Sequence, residues 1–119
     1  MTTIQKFEDL ECWKEARKET NLIYTYLKEC RDFSFRDQIQ RASVSVMNNI
    51  AEWFARTTAK DRIQFFMIAT SSLSEVRSMV YLWQDIWYFS KEQTDKLFEQ
   101  NLHTSQVTYG FLRYLNTLK

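Results

Sequence analysis

Residues 38–56 read QIQRASVSVMNNIAEWFAR, and this stretch decides the fold. Its apolar residues recur at intervals of three or four, which is the period of one face of an α-helix. Together with Phe35 they form the stripe Phe35, Ile39, Ala42, Val46, Ile50 and Trp53. The reverse side carries small or apolar residues instead of charges, namely Val44, Ala51 and Ala55. We therefore expect a helix that packs on more than one of its sides.

Four segments with this helical period follow one another, joined by short polar connections. We predict helices over about residues 9–30, 34–56, 58–89 and 91–118. Thr58 and Ser90 are expected to cap the third and fourth helices, because Asp61 and Gln93 follow three residues later. A chain with no proline and one glycine also lacks the usual turn residues of β-hairpins. The sequence predicts an all-α protein, a single domain over residues 1–119 that forms an antiparallel up-down-up-down four-helix bundle.

The apolar stripes of the other three helices complete the predicted core. In the first helix the stripe is Leu10, Trp13, Ala16, Thr20, Ile23, Tyr24 and Leu27. In the third helix it is Phe65, Phe66, Ala69, Leu73, Val76, Val80, Trp83 and Trp87. In the fourth helix it is Leu97, Phe98, Leu102, Thr108, Leu112 and Leu115. The four tryptophans are expected in the core, although so many aromatic rings would also suit subunit contacts.

The third helix carries a second apolar arc, and its charged residues between Ile63 and Phe89 are Glu75, Arg77 and Asp85 alone. A lone bundle would expose part of this arc to water, so we predict that it meets another subunit. The predicted interface combines the arc with the reverse side of the second helix. Its residues are Val44, Ala51, Ala55, Ile68, Met79, Leu82 and Ile86.

Charge and composition limit the classes of function. Sixteen basic against fifteen acidic residues give a net charge of +1, which does not indicate a strongly electrostatic nucleic-acid binder. No apolar run approaches the roughly 18 residues that cross a bilayer, and the polar start MTTIQKFEDLE lacks the apolar core of a signal peptide. We expect a cytoplasmic protein. Cys12 and Cys30 both fall in the first predicted helix, about 27 Å apart, and cannot form a disulfide within one chain. We favour two semi-buried thiols over an intermolecular disulfide or a reactive site.

The chemical inventory disfavours catalysis. Di-metal bundle enzymes need paired Glu-x-x-His motifs, whereas the chain has one histidine, His103, on the side opposite the stripe. No second histidine can activate a serine or a cysteine, and one glycine cannot build a phosphate-binding loop. We therefore predict no catalytic residue, no metal site and no cofactor, with His103 facing solvent.

Polar residues at helical spacing form a continuous row on the second predicted helix. The residues Gln38, Arg41, Ser45, Asn49 and Glu52 follow one flank of the second helix, where they could meet Glu75 or the serines of the third. Buried polar groups need partners, and satisfied networks fix the register of helices. We favour a structural polar seam between helices over a seam that binds a ligand, and both interpretations stay open.

Three stretches resemble a known family, the four-helix bundle proteins encoded in intervening sequences of bacterial 23S rRNA genes. These stretches are FEDLECWKEAR at residues 7–17, QIQRASVSVMNNIAEWFAR at residues 38–56 and FFMIATSSLSEV at residues 65–76. Three departures stand out: Met47 replaces the family's usual proline, while Trp53 and Ser71 each replace a glycine. Removing the proline is expected to make the second helix more regular.

The resemblance implies an up-down four-helix bundle that often forms a cyclic homopentamer and has no established enzymatic activity. We predict a non-enzymatic, homo-oligomeric interaction or scaffold module whose partner is itself, with RNA or another protein as a further partner. A related branch, the accessory variability determinant of diversity-generating retroelements, binds a reverse transcriptase and RNA through a strongly basic surface, which this near-neutral chain lacks.

The alternative function is RNA binding. It is supported by basic residues near the ends of the second helix, namely Arg31, Arg36, Arg41, Arg56, Lys60 and Arg62. Acidic residues are interspersed among them, so we favour an ordinary solvated surface over an RNA site. Repetition around a ring could still build a basic face.

Overall fold

The computed structural model describes residues 4–117. Within that range a 3-10 helix at Phe7–Asp9 precedes four α-helices, and no strand is present. The α-helices are α1 (Glu11–Tyr26), α2 (Phe33–Ala55), α3 (Ala59–Asp85) and α4 (Lys91–Thr117). Each packs on its neighbours in chain order and α4 closes against α1, in a bundle 46 × 23 × 20 Å in extent. The predicted all-α four-helix bundle is confirmed. Among the described helices, none is long and apolar enough to cross a membrane.

The helices α1 and α3 end about four residues earlier than their sequence pattern predicts, α1 at Tyr26 and α3 at Asp85. The helix α1 ends at Tyr26, so Cys30 lies in the connection to α2 and not in the first helix. Asp32 then starts α2, because its side chain accepts a hydrogen bond from the backbone N–H of Phe35 at 3.1 Å. The helix α2 continues without interruption through Met47, as expected for a helix without proline at that position. The predicted end of the fourth helix at residue 118 falls outside the described residues.

Both predicted N-caps are confirmed. The hydroxyl of Thr58 accepts a hydrogen bond from the backbone N–H of Asp61 at 3.2 Å. Ser90 and Gln93 form a reciprocal capping box, in which each side chain accepts a hydrogen bond from the other's backbone N–H, at 3.1 and 3.3 Å. These caps set where α3 and α4 begin and hence keep the connections short.

The tryptophan prediction fails at Trp87. Its backbone φ is 57°, in the left-handed region that a non-glycine residue seldom adopts, and its side chain is 85% exposed. The helix α3 has ended two residues earlier, so the period that placed Trp87 on the core stripe no longer applies. Trp53 and Trp83 are buried as predicted, while Trp13 is half-buried. Tyr24 and Leu102, also predicted for the core, are exposed as well.

The core consists of two apolar clusters separated by polar side chains. One cluster surrounds Trp83 and Leu97, and the other surrounds Trp53 and Leu73. Between the two levels the helices bury polar groups, which we call the central polar layer: Glu19, Thr20, Ser43, Asn101 and Thr104. Since α1 and α4 contribute four of these five residues, the seam between α1 and α4 is the most polar part of the interior.

Candidate assembly surface

Exposed apolar side chains lie near both ends of α3, and we call them together the exposed apolar surface of α3. Ile63 and Met67 are 57% and 62% exposed, and Ile68 follows them at 38%. Near the other end of the helix, Leu82 and Ile86 are 47% and 37% exposed. Single exposed apolar residues are ordinary, but four of them on one helix, with Ile86 directly after its end, are typical of a contact surface. The apolar character arises because the charged residues of α3 are few, as the sequence indicates.

The seven residues of the predicted subunit interface divide into three groups. On α3, Ile68, Leu82 and Ile86 are exposed, and so is Ala55 at the end of α2. On α2, Val44 and Ala51 are half-buried. Met79 is buried and belongs to the chain's own core beside Val76, Val80 and Trp83. The exposed members on α3 are therefore the ones that a partner can reach.

A polar groove of about 590 Å³ separates the outer flanks of α2 and α3. It contains Gln38, Arg41 and Ser45 of the predicted polar seam on one side, and Ser72 and Glu75 on the other. A second, more apolar groove of about 550 Å³ contains Ile63, Met67 and Ile68 and shares Ser72 and Glu75 with the first. The two grooves are thus continuous. We call them, together with Leu82 and Ile86, the α2–α3 face.

The structure brings part of the polar seam together and leaves part of it open. Ser72 donates a hydrogen bond to Ser45 at 2.9 Å, and this bond joins α3 to α2. Asn49 donates to the carbonyl and hydroxyl oxygens of Ser45 within α2, at 2.8 and 3.0 Å. Glu52 forms an ion pair with Arg56 at 2.8 Å on its own helix and does not reach Glu75.

Arg41 and Glu75 are the open part of the seam. Both side chains are exposed at the edge of the groove, and neither forms an ion pair with another described residue. A cation and an anion that face a groove without internal partners are suited to contacts with a second molecule.

The basic residues predicted as RNA contacts fall into two separate sets. Arg56, Lys60 and Arg62 lie within seven residues of one another at the connection between α2 and α3, where Arg62 donates a hydrogen bond to the carbonyl of Arg56 at 2.7 Å. Arg31 and Arg36 lie at the opposite end of α2, about 30 Å away at 1.5 Å per helical residue. Arg36 is also engaged by Asp37 at 3.4 Å and by the ring of Phe33. One chain therefore does not assemble these residues into one basic patch.

Sequence reasoning missed a polar cluster at the seam between α1 and α4. Glu15 and Glu19 are buried, with 6% and 1% exposure, although both lie in a charged amphipathic helix. Gln100 donates to the carboxylate of Glu15 at 3.1 Å, and Lys18 pairs with the same carboxylate at 3.0 Å. His103 is exposed and lies 3.4 Å from Glu15, so it edges this cluster.

The two carboxylates of this seam have opposite protonation behaviour. Burial acts to raise the pKa of Glu15, but hydrogen bonds from Lys18 and Gln100 and the nearby positive charge lower it below its usual range. Burial raises the pKa of Glu19 to about 7, because the side chains of Asn101 and Thr104 compensate only part of the lost hydration. Glu15 is therefore ionised near neutral pH, whereas burial favours the neutral form of Glu19.

The described residues include few of the groups that most often serve in catalysis, namely one histidine, two cysteines and the acidic side chains. Across residues 4–117, no three histidine, cysteine or acidic side chains converge in a way that could hold a metal ion. Burial raises the pKa of the Cys12 thiol to about 11, so this thiol is not a nucleophile near neutral pH. His103 contacts an acidic side chain and no serine or cysteine.

Comparison with known proteins agrees with the fold. The model of the 23S rRNA-intervening sequence protein family matches residues 8–110. None of the curated proteins matches the chain. Among solved structures, the chain is similar to a Bacteroides thetaiotaomicron protein of unknown function from the S23 ribosomal protein family, with a TM-score of 0.77 and 20% sequence identity. The alignment covers 84% of this chain and 96% of that protein. Because the family model spans most of the sequence, the chain belongs to the 23S rRNA-intervening sequence protein family.

Proposed function

We propose that the chain is a non-enzymatic interaction module that assembles with copies of itself through the α2–α3 face. The observation that carries this proposal is the exposed apolar surface of α3. Met67 and Ile63 expose more than half of their side chains, and Ile68, Leu82 and Ile86 each expose more than a third. Covering such a surface removes apolar area from water and contributes roughly 25 cal/mol per Å².

The polar groups beside this surface can give the assembly its specificity. Arg41 and Glu75 face the groove without an ion-pair partner among the described residues, so a second copy can pair with them at no cost to the folded monomer. Complementary charges at the border of an apolar contact select the partner and fix its register more than they add affinity.

The α2–α3 face lies on one side of an elongated bundle, which suits repetition around an axis. If this face contacts a different surface of the next copy, the contact is heterologous and closes into a ring when the rotation allows it. Five copies is the number that the resemblance to the family implies, and we adopt a homopentamer as the working stoichiometry.

A pair of matched variants tests the assembly surface. Ile68→Glu places a charge on the α2–α3 face, at a side chain that is already 38% exposed and so should tolerate the change in the monomer. Leu102→Glu makes the same kind of change on α4, at a side chain that is 48% exposed. By sedimentation velocity, Ile68→Glu should dissociate the oligomer while Leu102→Glu should leave it intact. Equal behaviour of the two variants would contradict the assignment of the surface.

RNA binding is the second candidate function, favoured by the position of Arg56, Lys60 and Arg62 at one end of the bundle. Assembly around an axis would repeat this basic set once per copy. Affinity for structured RNA should then fall steeply with salt, because phosphate contacts release counterions. Lys60→Glu should weaken binding relative to Lys96→Glu, a change at an exposed lysine of α4. Absence of binding at low salt, or equal effects of the two variants, would count against this function.

A further inference from the structure

The central polar layer contains a carboxyl group that is poorly suited to carry a charge. Glu19 is 1% exposed, and its Oε2 atom accepts a hydrogen bond from the amide nitrogen of Asn101 at 3.3 Å. That same nitrogen also donates to the carbonyl of Leu73 at 3.2 Å, so the donor is shared. The Oε1 atom of Glu19 has no hydrogen-bond partner. The hydroxyl of Thr104 also approaches the carboxyl, but its one proton is shared with the backbone carbonyls of Glu15 and Gln100. A buried carboxylate whose donors are all shared has lost most of its hydration with little replacement.

No cation reaches Glu19 from the elements packed around it. The side chains that α2 and α3 bury are uncharged, as are those of α4. On α1, the nearest titratable neighbour along the same face is Glu15, one turn earlier, whose carboxylate already engages Lys18 and Gln100. His103 of α4 approaches Glu15 from the exposed edge of the seam. A proton is therefore what neutralises Glu19 in the closed bundle.

The helix that Glu19 contacts is also the helix with the fewest buried apolar groups. Of the five side chains that α4 buries, Thr94, Asn101, Thr104 and Thr108 are polar and Leu97 alone is apolar. In contrast, α2 and α3 bury mostly aliphatic and aromatic side chains. Contact between α1 and α4 at mid-bundle thus depends on polar pairing.

We propose that α4 stays packed against α1 only while the Glu19 carboxyl is neutral, and that ionisation of this carboxyl opens the α1–α4 seam. Deprotonation leaves a carboxylate whose Oε1 atom accepts no hydrogen bond from the described residues. Water can hydrate this carboxylate only when α4 moves away from α1. The bundle then keeps the α2–α3 pair, which includes the α2–α3 face, while α4 becomes more mobile above neutral pH.

Hydrogen exchange at pH 6 and pH 8 tests the opening of the seam. After correction for the intrinsic rates, the protection factors of α4 amides around Asn101 should fall about tenfold between the two values, which is the population shift for a pKa that moves from 4.5 to about 7. Amides of α2 around Val46 should change less, since that helix does not contact the ionised group.

Two variants decide whether Glu19 is responsible. Glu19→Gln keeps the shape of the side chain and cannot ionise, so the pH-dependent loss of protection in α4 should disappear. Glu15→Gln lies one turn away on the same face and should keep the loss, because Glu15 is ionised at both pH values. If Glu19→Gln does not fold, Glu19→Met supplies an unbranched neutral side chain for the same measurement. A loss that persists in the neutral variant, or that is equal in α2 and α4, overturns the proposal.

Discussion

Trp53 offers a strong test of how this chain packs, because the family usually has glycine at that position. Its indole ring is 8% exposed and contacts Phe66 and Phe111 in edge-on geometry, with ring centroids 5.9 and 5.3 Å apart. The guanidinium group of Arg62 lies over the same ring at 5.3 Å. The substitution Trp53→Gly, which restores the family residue, should therefore remove the centre of one apolar cluster.

The expected cost follows from this burial. Replacing a buried tryptophan with alanine costs about 3–5 kcal/mol, since transfer and cavity terms add. A glycine in place of alanine within a helix costs up to about 1 kcal/mol more. We expect Trp53→Ala to lower the free energy of unfolding by about 4 kcal/mol and Trp53→Gly by about 5 kcal/mol. Trp53→Phe keeps an aromatic ring against Phe66 and should lose least.

Urea unfolding followed by circular dichroism at 222 nm measures these differences, because the helix signal does not depend on the tryptophan that is removed. Trp87→Ala is the matched control, since it deletes an indole that is 85% exposed and should change the free energy by no more than about 0.5 kcal/mol. A loss below about 1 kcal/mol for Trp53→Gly would refute the reasoning, because it would mean that the neighbouring rings do not depend on the indole.

Three further predictions concern a helix cap, a strained turn and the buried acid. Thr58→Ala should lower the free energy of unfolding by about 1 kcal/mol through loss of the N-cap of α3, whereas Thr57→Ala should not; urea titration of both checks this. Trp87→Gly should raise the melting temperature, since glycine relieves a left-handed backbone at a gain of roughly 1 kcal/mol; a lower melting temperature would contradict this. The folded pKa of Glu19, about 7, exceeds its usual value, so its stabilising contribution is complete below about pH 4.5 and is lost as pH rises through 7. Glu19→Gln should accordingly gain about 3 kcal/mol on the wild type at pH 9 but little at pH 4, and equal differences at both pH values would argue against a raised pKa.

The sequence carried the fold because hydrophobic period and capping are local signals. The stripe from Phe35 to Trp53 is buried as predicted, and Thr58 and Ser90 begin their helices with the expected hydrogen bonds. The same pattern placed Trp87 wrongly, because α3 ends at Asp85 and Trp87 itself adopts a positive φ in the turn that follows. Nothing in the preceding residues marks that turn with a glycine or a proline.

The central polar layer escaped prediction for a different physical reason. A core prediction that follows only the apolar residues leaves out Glu19 and Asn101. The buried face of α1 nevertheless includes two glutamates among its apolar residues, namely Cys12, Glu15, Ala16, Glu19 and Ile23. The signal was present in that spacing, since two glutamates lie between apolar positions at intervals of three and four. Which residue on another helix would satisfy each glutamate depends on how α1 and α4 align, and one sequence does not encode that alignment locally.

In the polar seam, the sequence predicted the polar residues but not their partners. The flank of α2 was recognised as polar and continuous, and Ser45 does bond to Ser72 across the helices. Glu52, however, forms a local i,i+4 ion pair with Arg56 on its own helix, and it has the same charge as Glu75, so nothing attracts these two carboxylates to each other. Arg41 and Glu75 line the open groove. Residues that the sequence predicted for an internal network therefore form part of the α2–α3 face.

The mass of the native protein in solution tests the central claim most directly. Light scattering on a sizing column at tens of micromolar should give several times the 14.5 kDa of one chain, because the exposed apolar surface of α3 is then covered by another copy. Five copies would also confirm the working stoichiometry. A single species of 14.5 kDa at high micromolar concentration would contradict assembly through the α2–α3 face.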